Sequence, residues 1–228
     1  LSRGSKLFLR KIYTEWYETI IKEASLLNEG KLLEIGSGDG FLKEIHSEFI
    51  TSDIRHLPHL DMIIDAEKIP FDDEELSCIG MTNVFHHIPR PYLFLREAER
   101  TLKPGGKVIM VEPTNTLFSR FVYKNFHFEP FDEKGGREIR EGAIANQALP
   151  YIYFERDRHW FETTFTQLKI EKIEYHTAFR YIISGGMSMR QLLPSFSYPV
   201  IHGLELMLHP LRNQIAMFST IILKKLMD

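Results

Sequence analysis

Apolar residues recur along this chain with two alternating periods. Within residues 6–27 they fall at Leu9, Ile12, Tyr13, Trp16, Ile20, Ala24 and Leu27, spacings of three and four that line one face of a helix, and Gly30 suits the stop that follows. Beyond it, short apolar runs alternate with segments of helical period. Strands are predicted at 31–35, 49–52, 60–64, 76–81 and 107–111, with helices at 41–48 and 92–102 between them. The fifth strand is expected to start from a turn at Pro104-Gly105-Gly106. Strands separated by helices imply parallel pairing through right-handed crossovers with both faces covered, which is a doubly wound α/β sheet.

After Glu112 the alternation stops, and it resumes with a predicted helix at 161–168 and strands at 170–175 and 215–223. Residues 114–158 and 184–211 are therefore read as lid or acceptor segments within a single domain, 1–228, because compact domains seldom carry such long connections without a function. Part of the first is helical by spacing, with Leu117, Phe118, Phe121 and Val122 behind the candidate caps Asn115 and Thr116. Its aromatics, among them Tyr123, Phe126, Phe128, Tyr151 and Phe154, suit the wall of an apolar pocket and the core of a small helical subdomain equally well. The second, expected to be irregular, adds Gly185, Gly186, Met187, Met189, Phe196 and Tyr198 with few charges.

The composition, 228 residues with 43% hydrophobic and 26% charged, fits one globular domain with a sizeable core and excludes a disordered chain. Lys and Arg number 28 against 31 Asp and Glu, a net charge of -3 that offers no field for a nucleic-acid backbone. No nucleic-acid partner is expected. Cys78 is the single cysteine, which excludes an intrachain disulfide and any zinc site needing two thiolates, and a reducing cytoplasm is the expected compartment. The uncharged stretch 191–204 is broken by Pro194 and Pro199, so no spanning segment is expected, while association with a membrane surface stays open. The chain begins at Leu1, and its first residues hold no apolar run of the kind a signal peptide needs.

The chemistry gathers in residues 32–42, LLEIGSGDGFL: a strand, three glycines alternating with Ser37 and Asp39, then a helix. Glycines at such a turn let backbone approach a ligand, and the helix N-terminus offers free N–H donors. A dinucleotide fingerprint, G-x-G-x-x-G, would place its third glycine where Phe41 stands. Glu34, two positions before the first glycine, is the wrong charge for a pyrophosphate and the right one for a cationic group.

This arrangement resembles the class I S-adenosylmethionine-dependent methyltransferases of the small-molecule type, whose first motif is an acid two positions before G-x-G-x-G. The resemblance runs in order through 32–113 and has a weaker echo in the final strands. It implies a loop of Gly36, Ser37, Gly38 and Gly40 beneath the methionine part of the cofactor, with Glu34 serving its ammonium. It further implies Asp53 on the ribose hydroxyls with Ile54 beside it, Asp65 and Ala66 at the adenine, and Asn83 near the methyl group. Of the adjacent His86 and His87, His87 is expected to face the pocket, since neighbours at a strand end point apart. The fold implied is a seven-stranded, mostly parallel Rossmann-like sheet, its seventh strand antiparallel, with a lid insertion after the fifth strand.

The implied activity is methyl transfer from S-adenosyl-L-methionine to a small organic or lipid-like acceptor. A protein that binds the cofactor without catalysis, or one that methylates a protein, are the alternatives; glycine spacing argues against a dehydrogenase. No catalytic residue is assigned, with His127, Tyr151, Glu155 and His159 as candidate bases. Near Asp53 and Asp61, His56 and His59 complete no coordination pattern, so no metal is expected. Tyr13, Trp16 and Tyr17 read as core, with one of them a candidate cover for the cofactor.

Overall fold

The computed structural model describes residues 6–27, 29–187 and 189–227; Leu1, where the chain begins, lies outside them. The apolar runs become β1 (Lys31–Ile35), β2 (Phe49–Asp53), β3 (Met62–Ile63), β4 (Leu76–Thr82), β5 (Leu102–Pro113), β6 (Leu168–His176) and β7 (Phe218–Lys225). They form one sheet in the order β3-β2-β1-β4-β5-β7-β6. The first five strands pair in parallel, and β7 runs antiparallel between β5 and β6. The expected doubly wound, mostly parallel seven-stranded sheet is therefore observed. Strand order reverses between β1 and β4, and the crevice outside the carboxyl ends of strands at such a switch point is where these sheets take ligands.

Every residue of β4 is buried, which is why it reads as a continuous apolar run and not as an alternating one. Helix α1 (Leu7–Ala24) buries Phe8, Ile12, Trp16 and Ile20 at the predicted spacing. α2 (Phe41–Ile45) follows the glycine loop, and α3 (Pro91–Thr101) crosses from β4 to β5 with Phe94, Leu95 and Ala98 inward. α4 (Leu117–Phe126) starts with a reciprocal cap in which Thr116 Oγ1 accepts from the Ser119 N–H and Ser119 Oγ from the Thr116 N–H.

Next, α5 (Leu149–Tyr151) runs through a π-helical turn, Ile152–Arg156, towards α6 (Arg158–Thr164). This segment packs Tyr153 and Phe154 against Phe85, with ring centroids 5.3 and 5.2 Å away, and Phe161 packs on Phe154 at 5.3 Å. α7 (Phe179–Ser184), α8 (Tyr198–Met207) and α9 (Arg212–Ile215) complete the chain. Buried Arg180 of α7 ties three helices together by pairing with Glu205 of α8 and Glu15 of α1.

Several boundaries differ from the sequence reading. The Pro104-Gly105-Gly106 turn is absorbed into β5 as an irregularity, with register passing from Leu76↔Leu102 to Cys78↔Lys107. The helix predicted at 161–168 lies at Arg158–Thr164, because Leu168 is already paired to Lys225 in the sheet. The last strand starts at Phe218 and not at 215, since Arg212–Ile215 close a helical turn. Residues 184–211, expected to be irregular, hold α8, whose Pro199 sits in the first turn where no helical N–H is lost.

Candidate active site

The glycine loop after β1 is stitched to β2. The Ser37 N–H donates to Ser52 O at 2.8 Å, and the Ser52 N–H donates back to Ser37 Oγ at 3.0 Å. From the outer side a His59 ring N–H donates to the Gly38 carbonyl at 2.9 Å, so His59 props the loop. Gly36 and Gly38 both have positive φ, 74° and 50°, but for different ends. A Cβ on Gly36 would lie 2.3 Å from Val84 Cγ2, whereas one on Gly38 would meet nothing within 4 Å. Gly36 is needed by the fold, and Gly38 leaves backbone open to a ligand.

This loop forms one wall of a cavity of about 690 Å³. Gly36, Ser37, Gly38, Asp53, Ile54, Asp65, Ala66, Asn83 and His87, all expected at the site, line it. Glu34 and Gly40 do not. Glu34 lies behind the loop, 2% exposed, where burial pushes its carboxyl up to about 7 against the opposing pull of the Ser37 and Tyr17 hydroxyls. Its Oε2 has no hydrogen-bond partner among the described residues. Gly40 instead caps α2 in a left-handed conformation.

Asp53 ends β2 and is already engaged. Its carboxylate accepts from Arg55 Nε at 3.0 Å, Arg55 Nη2 at 3.1 Å and the Gly38 N–H at 3.3 Å. Burial alone would raise its pKa, but these bonds and the Arg55 charge outweigh it and hold Asp53 below the usual carboxylate range. The Arg55 side chain is 68% exposed and free to swing away from its partner. Asp65 accepts from the Glu67 N–H, fixing the turn that presents buried Ala66 to the cavity.

The opposite wall comes from distant parts of the chain. Tyr13 and Tyr17 reach in from α1, as the cover reading of that helix allows, and the Tyr13 hydroxyl accepts from Asn83 Nδ2 at 3.2 Å. Asn83 holds a left-handed φ of 57° at the end of β4, pinned by its N–H donating to Val111 O. His127, Phe128, Glu129 and Gln147 enter from the 114–158 segment, and Met187 from 184–211. The remaining candidate bases, Tyr151, Glu155 and His159, lie off the cavity, and Glu155 is bonded to the Tyr175 hydroxyl.

Both histidines face the cavity, contrary to the expectation that only His87 would. The reason is local: Phe85–His87 form a 3-10 turn and not a strand end, so the two rings lie 4.2 Å apart, centroid to centroid. Glu112, fully buried on β5, organises this turn. Its Oε1 accepts the Val84 and Phe85 N–H groups, each at 2.8 Å, and its Oε2 lies 2.6 Å from His86 Nδ1. Burial opposes protonation of His86, yet Glu112 and Glu129 outweigh it and lift the imidazole to about 9.

Comparison with known proteins agrees with this geometry. Residues 33–110 match the family described as the methyltransferase domain. With the glycine loop and its ordered acids, this match supports a class I S-adenosylmethionine-dependent methyltransferase. The ubiquinone/menaquinone biosynthesis C-methyltransferase UbiE of Pseudomonas putida (strain GB-1) is 30% identical over 126 residues, covering 49% of this chain and 44% of that protein. The chain thus spans about half the length of the curated relatives it matches. Among solved structures, a SAM-dependent methyltransferase from Archaeoglobus fulgidus superposes with a TM-score of 0.56 at 18% identity, covering 95% of this chain and 93% of that one. The geranyl diphosphate C-methyltransferase from Streptomyces coelicolor A3(2) gives 0.53 at 12% identity, with 96% and 82% covered. At such identities these likenesses show the methyltransferase fold. The family match ends at residue 110, so the cavity wall that carries His127, Glu129 and Gln147 lies outside it.

Proposed function

We propose that this chain transfers a methyl group from S-adenosyl-L-methionine to a small organic or lipid-like acceptor. The observation that carries the reading is a single cavity with two chemically distinct walls. One is built from the glycine loop, Asp53 and Asp65-Ala66, and the other from aromatic and imidazole side chains. The residues present fit the cofactor: Gly38 leaves space that a Cβ would enter freely, and Glu34 keeps an unpartnered, buried carboxylate oxygen beneath the loop. Asp53 suits two ribose hydroxyl donors once Arg55 moves away. When bound, S-adenosylmethionine supplies a methyl group activated on a sulfonium.

The chain's own residues then align and exclude. Asn83, locked by its backbone and by Tyr13, sets one side of the reacting space. Tyr13, Tyr17, Phe128 and Met187 add apolar surface to the same cavity, from which a bound acceptor would displace water. Two exposed apolar side chains line the cavity, Phe128 of the first long segment and Met187 of the second. By contrast, Tyr153 and Phe154 are fully buried core, so the aromatics of 114–158 divide between the two roles that the sequence left open. An apolar rim supports an apolar acceptor and suits a polyanion poorly.

Among the described residues no helix is long and apolar enough to cross a membrane. The reading includes a cytoplasmic location, supported by the single, buried free cysteine, Cys78. The test is to incubate the protein and methyl-labelled cofactor with a cell extract split into lipid, small-polar, protein and nucleic-acid fractions. Label in the lipid or small-polar fraction is expected. Label confined to protein or nucleic acid, or cofactor binding with no labelled product, would replace this reading with one of its alternatives.

A further inference from the structure

Three groups of the kind that ligate metals turn towards one another in the cavity wall. His86 Nε2 lies 3.6 Å from Glu129 Oε2, and His87 Nε2 lies 3.6 Å from Glu129 Oε1. All three ligand atoms fall within 4.8 Å of each other. The other nitrogen of each ring is committed elsewhere, His86 Nδ1 to the Glu112 carboxylate at 2.6 Å and His87 Nδ1 to the Ile144 carbonyl at 3.3 Å. Carboxylates and carbonyls only accept, so both Nδ1 atoms carry a proton, and each ring turns its Nε2 towards Glu129, where a bound ion would take the place of any Nε2 proton.

Three such groups can hold a cation between them. A proton on Nε2 is one such cation, but a charged N–H···O bond closes to about 2.7–2.9 Å, and 3.6 Å is too long for it. Ligands that are each about 2.1 Å from a shared ion stand roughly 3.0–3.5 Å apart, which these atoms reach by small side-chain shifts. The surroundings are those of a built metal site. Each histidine donates its far N–H to a carboxylate or a carbonyl, the arrangement that fixes the tautomer and raises ligand basicity. Glu129 is steadied in turn by Gln147 Nε2 at 2.8 Å.

We propose that His86, His87 and Glu129 bind one divalent transition-metal ion of the zinc, cobalt or nickel kind in the wall of this cavity. Two imidazoles and one carboxylate suit such borderline ions and suit magnesium or calcium poorly. Three protein ligands leave a fourth position, and since all three line the cavity, what completes the shell comes from the cavity. That is water or, if the methyl-transfer reading holds, an acceptor hydroxyl, enol or carboxylate whose proton affinity the ion lowers. Binding of the ion itself does not depend on that reading. Glu129 is remote in sequence from the histidine pair, so spacing within one segment carries no signal of the site, and His59 instead holds Gly38.

The test uses untagged protein stripped with a chelator, without cofactor or acceptor. It is titrated with Zn²⁺ by calorimetry and with Co²⁺ by visible absorption. One ion per chain is expected, with cobalt d–d bands of a low-coordinate nitrogen and oxygen site. Exposed His87 can be changed without opening the core, so His87→Ala should fold with an unchanged melting temperature in the metal-free state. It should lose more than the roughly 10–100-fold in affinity that an outer-shell partner commands. Glu129→Gln should weaken binding as well, while His59→Ala should leave it intact. No cobalt bands and no zinc heat with the wild type, or binding unaltered by both His87→Ala and Glu129→Gln, would overturn the site. Either result leaves the methyl-transfer reading standing, because neither measurement involves the cofactor.

Discussion

His86 on the turn after β4 and Glu112 near the end of β5 meet at 2.6 Å, Nδ1 to Oε2, with the carboxylate fully buried. Because Glu112 also accepts the Val84 and Phe85 amides, one side chain sets both the backbone of the turn and the direction of the imidazole. The pairing exists because β4 and β5 run parallel in the register Thr82↔Val111, which brings the next residue of β5 beside the turn. The ligand-facing wall is thus a product of strand register and not of local sequence.

Asp53 should be the main polar anchor of the cofactor ribose. Asp53→Ala removes charge-assisted hydrogen bonds worth about 1.5–3 kcal/mol, a loss of roughly tenfold to over a hundredfold in affinity by calorimetry. Arg55→Ala should act the other way and tighten binding up to about fivefold, because the exposed ion pair no longer has to open. Unchanged affinity in Asp53→Ala would remove that residue from the site.

The two loop glycines should separate folding from binding. Gly36→Ala drives a methyl into Val84 and should destabilise the protein by several degrees or more. Gly38→Val meets open space, carries only the strain of its positive φ, and should stay within a few degrees of wild type while abolishing stabilisation by the cofactor. If Gly38→Val unfolds the protein, the loop is structural at both positions.

How much of this was legible in the sequence depends on chain distance. The strand, glycine loop and helix of 31–45 are contiguous, and Asp53 ends one strand while Asp65 follows another, so order along the chain reports their place. A strand end would turn His86 away from the pocket, whereas the 3-10 turn that forms there brings both histidines to it. Glu112, Glu129 and Gln147 carry no local signal, and only packing of the 114–158 segment onto the sheet brings them together. Phe128 and Phe154 look alike in sequence, yet one is exposed at the rim and the other is sealed against Phe85. Periodicity does not tell a rim from a core in so irregular a stretch.

Glu34 should make binding and stability respond to pH in opposite senses. Its carboxyl is raised by burial from 4.5 to about 7, so it contributes stability to the ligand-free fold that is full below about pH 4.5 and lost as pH rises through 7. The effect is at most about 3 kcal/mol. A cationic cofactor group needs the ionised form, so affinity should fall as pH is lowered from 8 to 6. Glu34→Gln should flatten both profiles, melting higher than wild type at pH 8 without cofactor and binding it more weakly. A wild-type affinity independent of pH over this range would exclude Glu34 from cofactor binding.

Arg180 should be a stability residue remote from the chemistry. Arg180→Ala leaves the Glu205 carboxylate with only the backbone N–H groups of residues 178 and 180 as donors and should cost about 3 kcal/mol in denaturant unfolding, with much of the loss restored by adding Glu205→Gln. A cost below about 1 kcal/mol would mean that the α1, α7 and α8 junction is held by apolar packing alone.

The central claim is that the cavity between the glycine loop and the histidine turn takes S-adenosylmethionine. The most direct measurement is a calorimetric titration of wild type and Gly38→Val with S-adenosylhomocysteine, run beside NAD. One-to-one binding to the wild type with a Kd between about 1 and 100 µM is predicted, with none to Gly38→Val and no heat from NAD. Absence of binding to folded wild-type protein, or a stronger response to NAD, would contradict the account.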